Sequence, residues 1–223
     1  RAEQFQNQNR LKMRITIHQP EHFPYAGFFQ KMKEADLFVV LDNVKFRKNY
    51  FQNRNKLVNR QGREEWFGVS VPKESTSLEI KDVVVIEDKL NNWKKKVVSK
   101  LQHNLKIDLS EVYSFKKLID INMASIKWCR DELKISTPMI YASELNVFGS
   151  KTSLLLDICK KTNATTYISG PSGKDYLDAQ SFNRHNISVE FFKPEVENYY
   201  SMLYNIQNNK NHQRKRGEPS NDD

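Results

Sequence analysis

Between Arg14 and Phe192 the chain alternates short runs of strand character with longer stretches of helical period, a rhythm that few architectures accept. Arg14-Ile-Thr-Ile17 alternates polar with apolar residues and is β-branched, so it reads as a strand ending at His18-Gln-Pro20. From Tyr25 to Ala35 the apolar residues Phe28, Phe29 and Met32 share one helical face. Asp36-Leu-Phe-Val-Val-Leu41 is a continuous apolar run of strand length, as expected for a strand covered on both sides. Trp66–Val71 and Val83–Ile86 read as strands, and Asn91–Leu105 and Phe115–Leu133 as helices. Met139–Tyr141 is a strand, and Ser150–Lys161 a helix with Leu154, Leu155 and Ile158 on one face. Thr165–Ile168 and Val189–Phe192 close the series as strands. Strands separated by helices predict an α/β fold, a mostly parallel sheet with helices on both faces in the Rossmann-like manner. The region 43–86 departs from this rhythm, which suits an antiparallel insertion.

With 223 residues, 38% of them hydrophobic and 11% aromatic, the chain can bury a real core. Residues 1–12 are polar and Gln/Asn-rich and are expected to form a disordered leader. Residues 13–206 are expected to form a single domain, and 207–223 a disordered polar tail. No run approaches the roughly 18 apolar residues of a membrane span, and no apolar signal core opens the sequence, so the expectation is a cytoplasmic protein without a span. Cys129 and Cys159 fall in helical patterns without metal-ligand spacing and read as buried, reduced thiols. The sequence names no cofactor. Most of the formal +9 charge lies between the two polar ends, and a basic body attracts phosphorylated ligands, nucleic acid or an anionic surface without choosing among them.

In an open α/β sheet, ligands collect beyond the carboxyl ends of the strands. Three loops stand out there. His18-Gln-Pro-Glu-His-Phe-Pro-Tyr-Ala-Gly27 joins a strand to a helix, and its two prolines restrict the backbone. An imidazole in that position suits phosphate binding or proton transfer, and His18 is the better candidate; His22 reads rather as a structural histidine. Asp42 opens the second loop, where a strand-end carboxylate can bind a ribose hydroxyl, a sugar or magnesium. Beyond it Lys45, Arg47, Lys48, Arg54 and Lys56 interleave with Phe46, Tyr50 and Phe51, a pattern that grips a diphosphate or single-stranded nucleic acid, or forms a solvated basic hairpin. The third loop, Ile168-Ser-Gly-Pro-Ser-Gly-Lys-Asp-Tyr176, offers two glycines, Ser169, Ser172 and Lys174, and resembles an anion-cradling turn as much as an ordinary strand-to-helix turn. The lysines of Trp93–Lys100 lie opposite Val97, Val98 and Leu101 and read as a solvated helix face. Trp66, Trp93 and Trp128 read as core or edge aromatics.

The string His18-Gln-Pro, Pro24-Tyr-Ala-Gly-Phe-Phe-Gln-Lys31, Asp36–Phe46 and Asn53-Arg-Asn55, followed by Tyr167–Leu177, resembles the WbqC-like family over Met13 to Tyr200. The resemblance implies a role in making or decorating a surface polysaccharide such as O-antigen. The positions that match the family's motifs are His18, Gln19, Asp42, Asn53, Arg54, Ser169, Ser172 and Tyr176, and by their chemistry the catalytic candidates are His18 and Asp42. The substrate- and phosphate-binding candidates are Gln19, Tyr25, Lys31, Asn53, Arg54, Ser169, Gly170, Ser172, Gly173, Lys174 and Tyr176. The favoured reading is a transferase that moves an acyl or aminoacyl group onto a nucleotide-linked amino sugar, with an aminoacyl-tRNA as a conceivable donor. The alternatives are a nucleotidyltransferase-like enzyme using Mg²⁺ at Asp42 and a non-catalytic RNA-binding module built on residues 45–56. The resemblance also implies an apolar helix after Tyr199-Tyr200. The polar run from Asn205 departs from that pattern, and reduced activity is the expected consequence.

Overall fold

A computed structural model describes residues 12–87, 89 and 92–217. By internal contacts the described chain divides into two compact units. The first holds the residues up to His18, with Gln30–Leu41 and Thr137–Pro194. The second holds Gln19–Phe29, Asp42–Ser136 and the residues from Glu195 onward.

The first unit is built on a five-stranded sheet in which every pairing is parallel. Its strands are β1 (Arg14–His18), β2 (Leu37–Val40), β5 (Met139–Tyr141), β6 (Thr166–Ser169) and β7 (Ser188–Phe191), in the order β5-β2-β1-β6-β7. The chain thus runs from β1 outward to one edge and then restarts on the other side of β1. That reversal, between β1 and β6, is the topological switch point at which such sheets bind ligands. Ile15, Phe38, Val39 and Val40 are inaccessible to solvent, which is why the apolar run after Asp36 has no alternation. α4 (Lys151–Lys161) buries Leu154, Leu155, Ile158 and Cys159 and opens on a capping box of Ser150 and Ser153. α5 (Ala179–Asn183) is capped by Asp178, and its Phe182 stacks on Tyr167 at 5.6 Å.

In the second unit β3 (Arg54–Val58) and β4 (Glu64–Gly68) form an antiparallel hairpin, the insertion expected within 43–86. The Asn59 carboxamide closes its turn by accepting from the main chain of Gln61 and Arg63, with Gly62 at φ 76°. α2 (Trp93–Leu105) turns Trp93, Val97, Leu101 and Leu105 inward, four residues apart, and leaves its lysines on the other face. α3 (Leu118–Leu133) buries Leu118, Ile121, Ser125 and Cys129 among others. Two expected strands change. Residues 83–86 make only an isolated bridge, Val84 to Lys117, because the partner chain turns into α3 one residue later. The Trp66–Val71 run pairs only through Gly68.

The polar segment from Gln207, expected to lack structure, instead continues α6 (Met202–Gly217). Leu203 and Ile206 give that helix a buried apolar start where the polar run from Asn205 had promised none. The rest of the expected tail, and residues 1–11 of the expected leader, lie outside the described residues. Both cysteines are free and buried. Among the described residues no helix is long and apolar enough to cross a membrane.

Candidate functional site

In the first unit the site is assembled at the carboxyl ends of β1 and β6. His18 is the last residue of β1 and is half-buried; its carbonyl accepts from the Leu41 main chain at 2.8 Å, which ties β1 to the end of β2. β6 ends at Ser169, which is buried, and the Ser169 carbonyl accepts from Phe192 at 2.8 Å. The chain then folds into a 3₁₀ turn over Pro171–Asp175, closed by Gly173 N–H donating to the Gly170 carbonyl at 3.0 Å. Gly173 lies so close to Ser169 that a Cβ there would fall 2.1 Å from the Ser169 Oγ. Only glycine fits.

A cation meets this turn. Lys31, in the last turn of α1 (Ala26–Lys33), is 4% exposed, and its Nζ lies 3.9 Å from where a Gly170 Cβ would be. A buried ammonium is stabilised by a polar or anionic neighbour, and the Ser169 hydroxyl of the same turn donates to the Gly170 carbonyl at 3.3 Å. The outer part of the turn is different. Ser172 and Tyr176 are exposed, and Lys174 folds over the Phe191 ring at 5.7 Å. Tyr176 is 53% exposed, and the burial of the rest of its side chain pushes the hydroxyl up from its ordinary value.

The remaining candidates belong to the second unit. Gln19 accepts from the Gln52 side chain at 2.6 Å, and Gln52 in turn accepts from the Arg47 main chain at 2.7 Å. Asn53 is buried and spends its carboxamide on the protein's own backbone, accepting from Asn49 and donating to Val69. Asn55 likewise donates to the carbonyls of His22 and Phe23. Arg54, between them, points to the other face of the hairpin, with its guanidinium 4.1 Å over the Trp66 ring. Asp42 is buried, and its carbonyl accepts from the Lys81 main chain at 3.1 Å; the Lys81 ammonium is raised chiefly by its hydrogen bond to Glu79, with Asp42 the smallest contributor. Tyr25 packs on Tyr199 at 5.5 Å, and burial holds its hydroxyl at about 12.

His22 is a structural histidine, as read from the sequence. It is wholly buried, its Nε2 lies 3.0 Å from the Tyr113 hydroxyl, and burial lowers its pKa to about 3. The sequence reading missed the network around it. Asn122 donates to the carbonyls of Pro20 and Gln52, and the Phe23 N–H donates to the Ser125 hydroxyl. The available signal was Asn122 and Ser125, three apart on the apolar face of a helix, where polar residues need partners. His18, Lys31 and the Ser169–Gly173 turn therefore belong to one unit, and Gln19, Tyr25, Asp42, Asn53 and Arg54 to the other.

The model of the WbqC-like protein family matches residues 19–207. The chain belongs to that family. Among curated proteins, this WbqC-like chain is similar to the uncharacterized protein Rv1507c of Mycobacterium tuberculosis (strain ATCC 25618 / H37Rv). The two are 24% identical over 204 residues, covering 86% of this chain and 87% of the relative. No solved structure matches the WbqC-like chain significantly.

Proposed function

We propose that this WbqC-like protein is a cytoplasmic transferase that modifies a nucleotide-linked amino sugar for surface-polysaccharide (O-antigen) biosynthesis, by acyl or aminoacyl transfer. The observation that carries the reading is the buried Lys31 ammonium beside Gly170 at the β1/β6 switch point. Open α/β sheets bind ligands at such a crevice, and a fixed cation there favours a phosphorylated one.

In this mechanism Lys31 and the Ser169–Gly173 turn hold a phosphate of the nucleotide-linked sugar, which is the acyl acceptor, or the developing oxyanion. His18 takes the proton as the sugar amine attacks the acyl carbon and the acyl carrier leaves. The reading is supported by the placement of His18 on the same sheet edge as Ser169 and by the basic balance of the chain, +9. An aminoacyl-tRNA donor fits that charge as well.

The experiment is a thermal-shift and turnover panel of nucleotide-linked amino sugars with acyl and aminoacyl donors. A cognate sugar raises the melting temperature of the wild type. Lys31→Gln loses that protection, whereas His18→Ala keeps it and loses turnover. Turnover that survives His18→Ala removes histidine from the mechanism, and protection that survives Lys31→Gln removes the phosphate site.

A further inference from the structure

The second unit carries a groove that the proposed function does not use. It has a volume of about 340 Å³ and is lined by Arg54, Trp66, Trp93, Lys96, Val97 and Lys100, with Gly68 at its base. Its construction follows from the hairpin register. Arg54 stands opposite Gly68, which has no side chain to fill the space, so the guanidinium leans diagonally across to Trp66. Gly68 itself is obligatory, since a Cβ there would meet the Asn53 carbonyl at 2.3 Å.

The charges here are unevenly compensated. Lys56 is paired with Glu64 at 2.6 Å and Lys100 with Glu65 at 2.9 Å. Arg54 and Lys96 have no carboxylate partner among the described residues, and the buried Arg54 Nε has no hydrogen-bond partner there. The partner Arg54 does have is an indole face. Stacking holds the guanidinium plane without consuming its N–H edge, so the paired donors that grip a phosphate remain available. Lys96 adds a second positive charge at the exposed rim. The Trp93 indole, 5% exposed with its N–H donating inward to the Ile86 carbonyl at 2.7 Å, forms with Val97 the buried apolar floor beneath the more exposed Trp66.

We propose that this groove binds the phosphate of a mononucleotide, with Arg54 and Lys96 on the phosphate and the nucleoside along the Trp66–Trp93 wall. A volume of about 340 Å³ is at the small end of ligand pockets and suits one nucleotide rather than a strand. The assignment is independent of the site at Lys31 and survives its failure.

The test is titration of the full chain with UMP, UDP and uridine, followed by calorimetry and by tryptophan fluorescence. Trp66 and Trp93 line the groove, and Trp128, the remaining tryptophan, packs on Phe23 outside it, so a ligand-dependent change in fluorescence reports on Trp66 and Trp93. UMP and UDP are expected to bind and uridine not to bind. Arg54→Gln should weaken UDP at least about tenfold and Lys96→Gln a few-fold, as for lost charge-assisted contacts, while Lys31→Gln leaves the fluorescence titration unchanged. If Arg54→Gln does not fold, Lys96→Gln at its exposed position decides alone. Equal affinity of wild type and both variants overturns the proposal, as does uridine binding as well as UMP. Affinity that climbs with the length of a single-stranded oligonucleotide overturns the mononucleotide in favour of RNA.

Discussion

The Nε2 of His22 and the hydroxyl of Tyr113 meet at 3.0 Å, both wholly buried, from positions 91 residues apart. Phe23, Phe67 and Tyr113 surround the imidazole with ring centroids at 5.1–5.6 Å. Burial therefore favours the neutral ring, opposed only in part by the Asn122 side chain. Its folded pKa, about 3, lies below the ordinary 6.5. The unfolded chain takes up a proton first as pH falls, so this contribution is complete above pH 6.5 and is lost progressively toward pH 3. The limiting slope is about 1.4 kcal/mol per pH unit. Urea unfolding between pH 7 and 4 measures it, and His22→Gln should flatten that limb. An unchanged slope in the variant assigns the acid sensitivity elsewhere.

Tyr113→Phe isolates the other half of the pair. The ring still packs, but the imidazole nitrogen loses its partner inside the protein, where an unsatisfied polar group costs about 1–3 kcal/mol. Denaturant midpoints should fall by that amount with an unchanged m value. A loss below about 0.5 kcal/mol would mean that another group takes over the hydrogen bond.

The Asn53-Arg54-Asn55 string makes a sharper contrast. Asn53→Ala and Asn55→Ala each remove buried hydrogen bonds to the backbone and should cost about 2–4 kcal/mol, whereas Arg54→Ala should cost under about 1 kcal/mol because the half-buried guanidinium gives up only its stack on Trp66. Equilibrium unfolding of the three variants reads the order directly. If Arg54→Ala proves the most destabilising, the guanidinium is structural and its availability to a ligand is in doubt.

That contrast also shows what the amino-acid string could reveal. The strands of the parallel sheet were legible because β1 is β-branched and β2 is continuously apolar, but the polar–apolar alternation of β1 understated its burial: Thr16 is inaccessible too, its hydroxyl donating to the Ile168 carbonyl at 2.9 Å. The turn after β6 was legible from its glycines, one of which the close Ser169 hydroxyl requires, whereas the burial of Lys31 beside Gly170 had no signal in the string. The division of labour inside Asn53-Arg-Asn55 was not legible, since strand alternation separates neighbours only once the register is known. Val83–Ile86 failed for a related reason. Its alternation is real, with Val83 and Val85 buried, but a strand also needs a partner of equal length, and Lys116-Lys117 supplies a single bridge. The groove at Arg54 depends on Lys96 and Lys100, about forty residues away on a helix that reads by itself as a solvated face.

Gly173→Ala tests the turn that holds Ser169. The added methyl carbon would sit 2.1 Å from the Ser169 Oγ and 2.9 Å from a Leu177 methyl, so the turn has to shift. Overpacking of this kind costs about 1–3 kcal/mol, and the shift should abolish any thermal protection by a nucleotide-linked sugar. Ser169→Ala combined with Gly173→Ala removes the first clash and should recover part of the stability but not the ligand response, if the hydroxyl contacts the ligand. Full recovery of both in the double variant would show that Ser169 serves only to pack the turn.

α6 supplies the last test, because its composition argues against a packed helix. Leu203 is inaccessible to solvent and Ile206 is 8% exposed, while the residues beyond them are almost all polar. The helix is further tied by the Met202 N–H donating to the Pro24 carbonyl at 2.7 Å and by a Lys210–Glu132 ion pair. Apolar burial at its first turns should dominate, since an exposed ion pair contributes about 0–1 kcal/mol. Leu203→Ala is expected to cost about 2–4 kcal/mol, as for a buried leucine that leaves a cavity, and Lys210→Ala next to nothing. If unfolding data show both variants at wild-type stability, the helix is not held by Leu203, and the second unit folds without needing it.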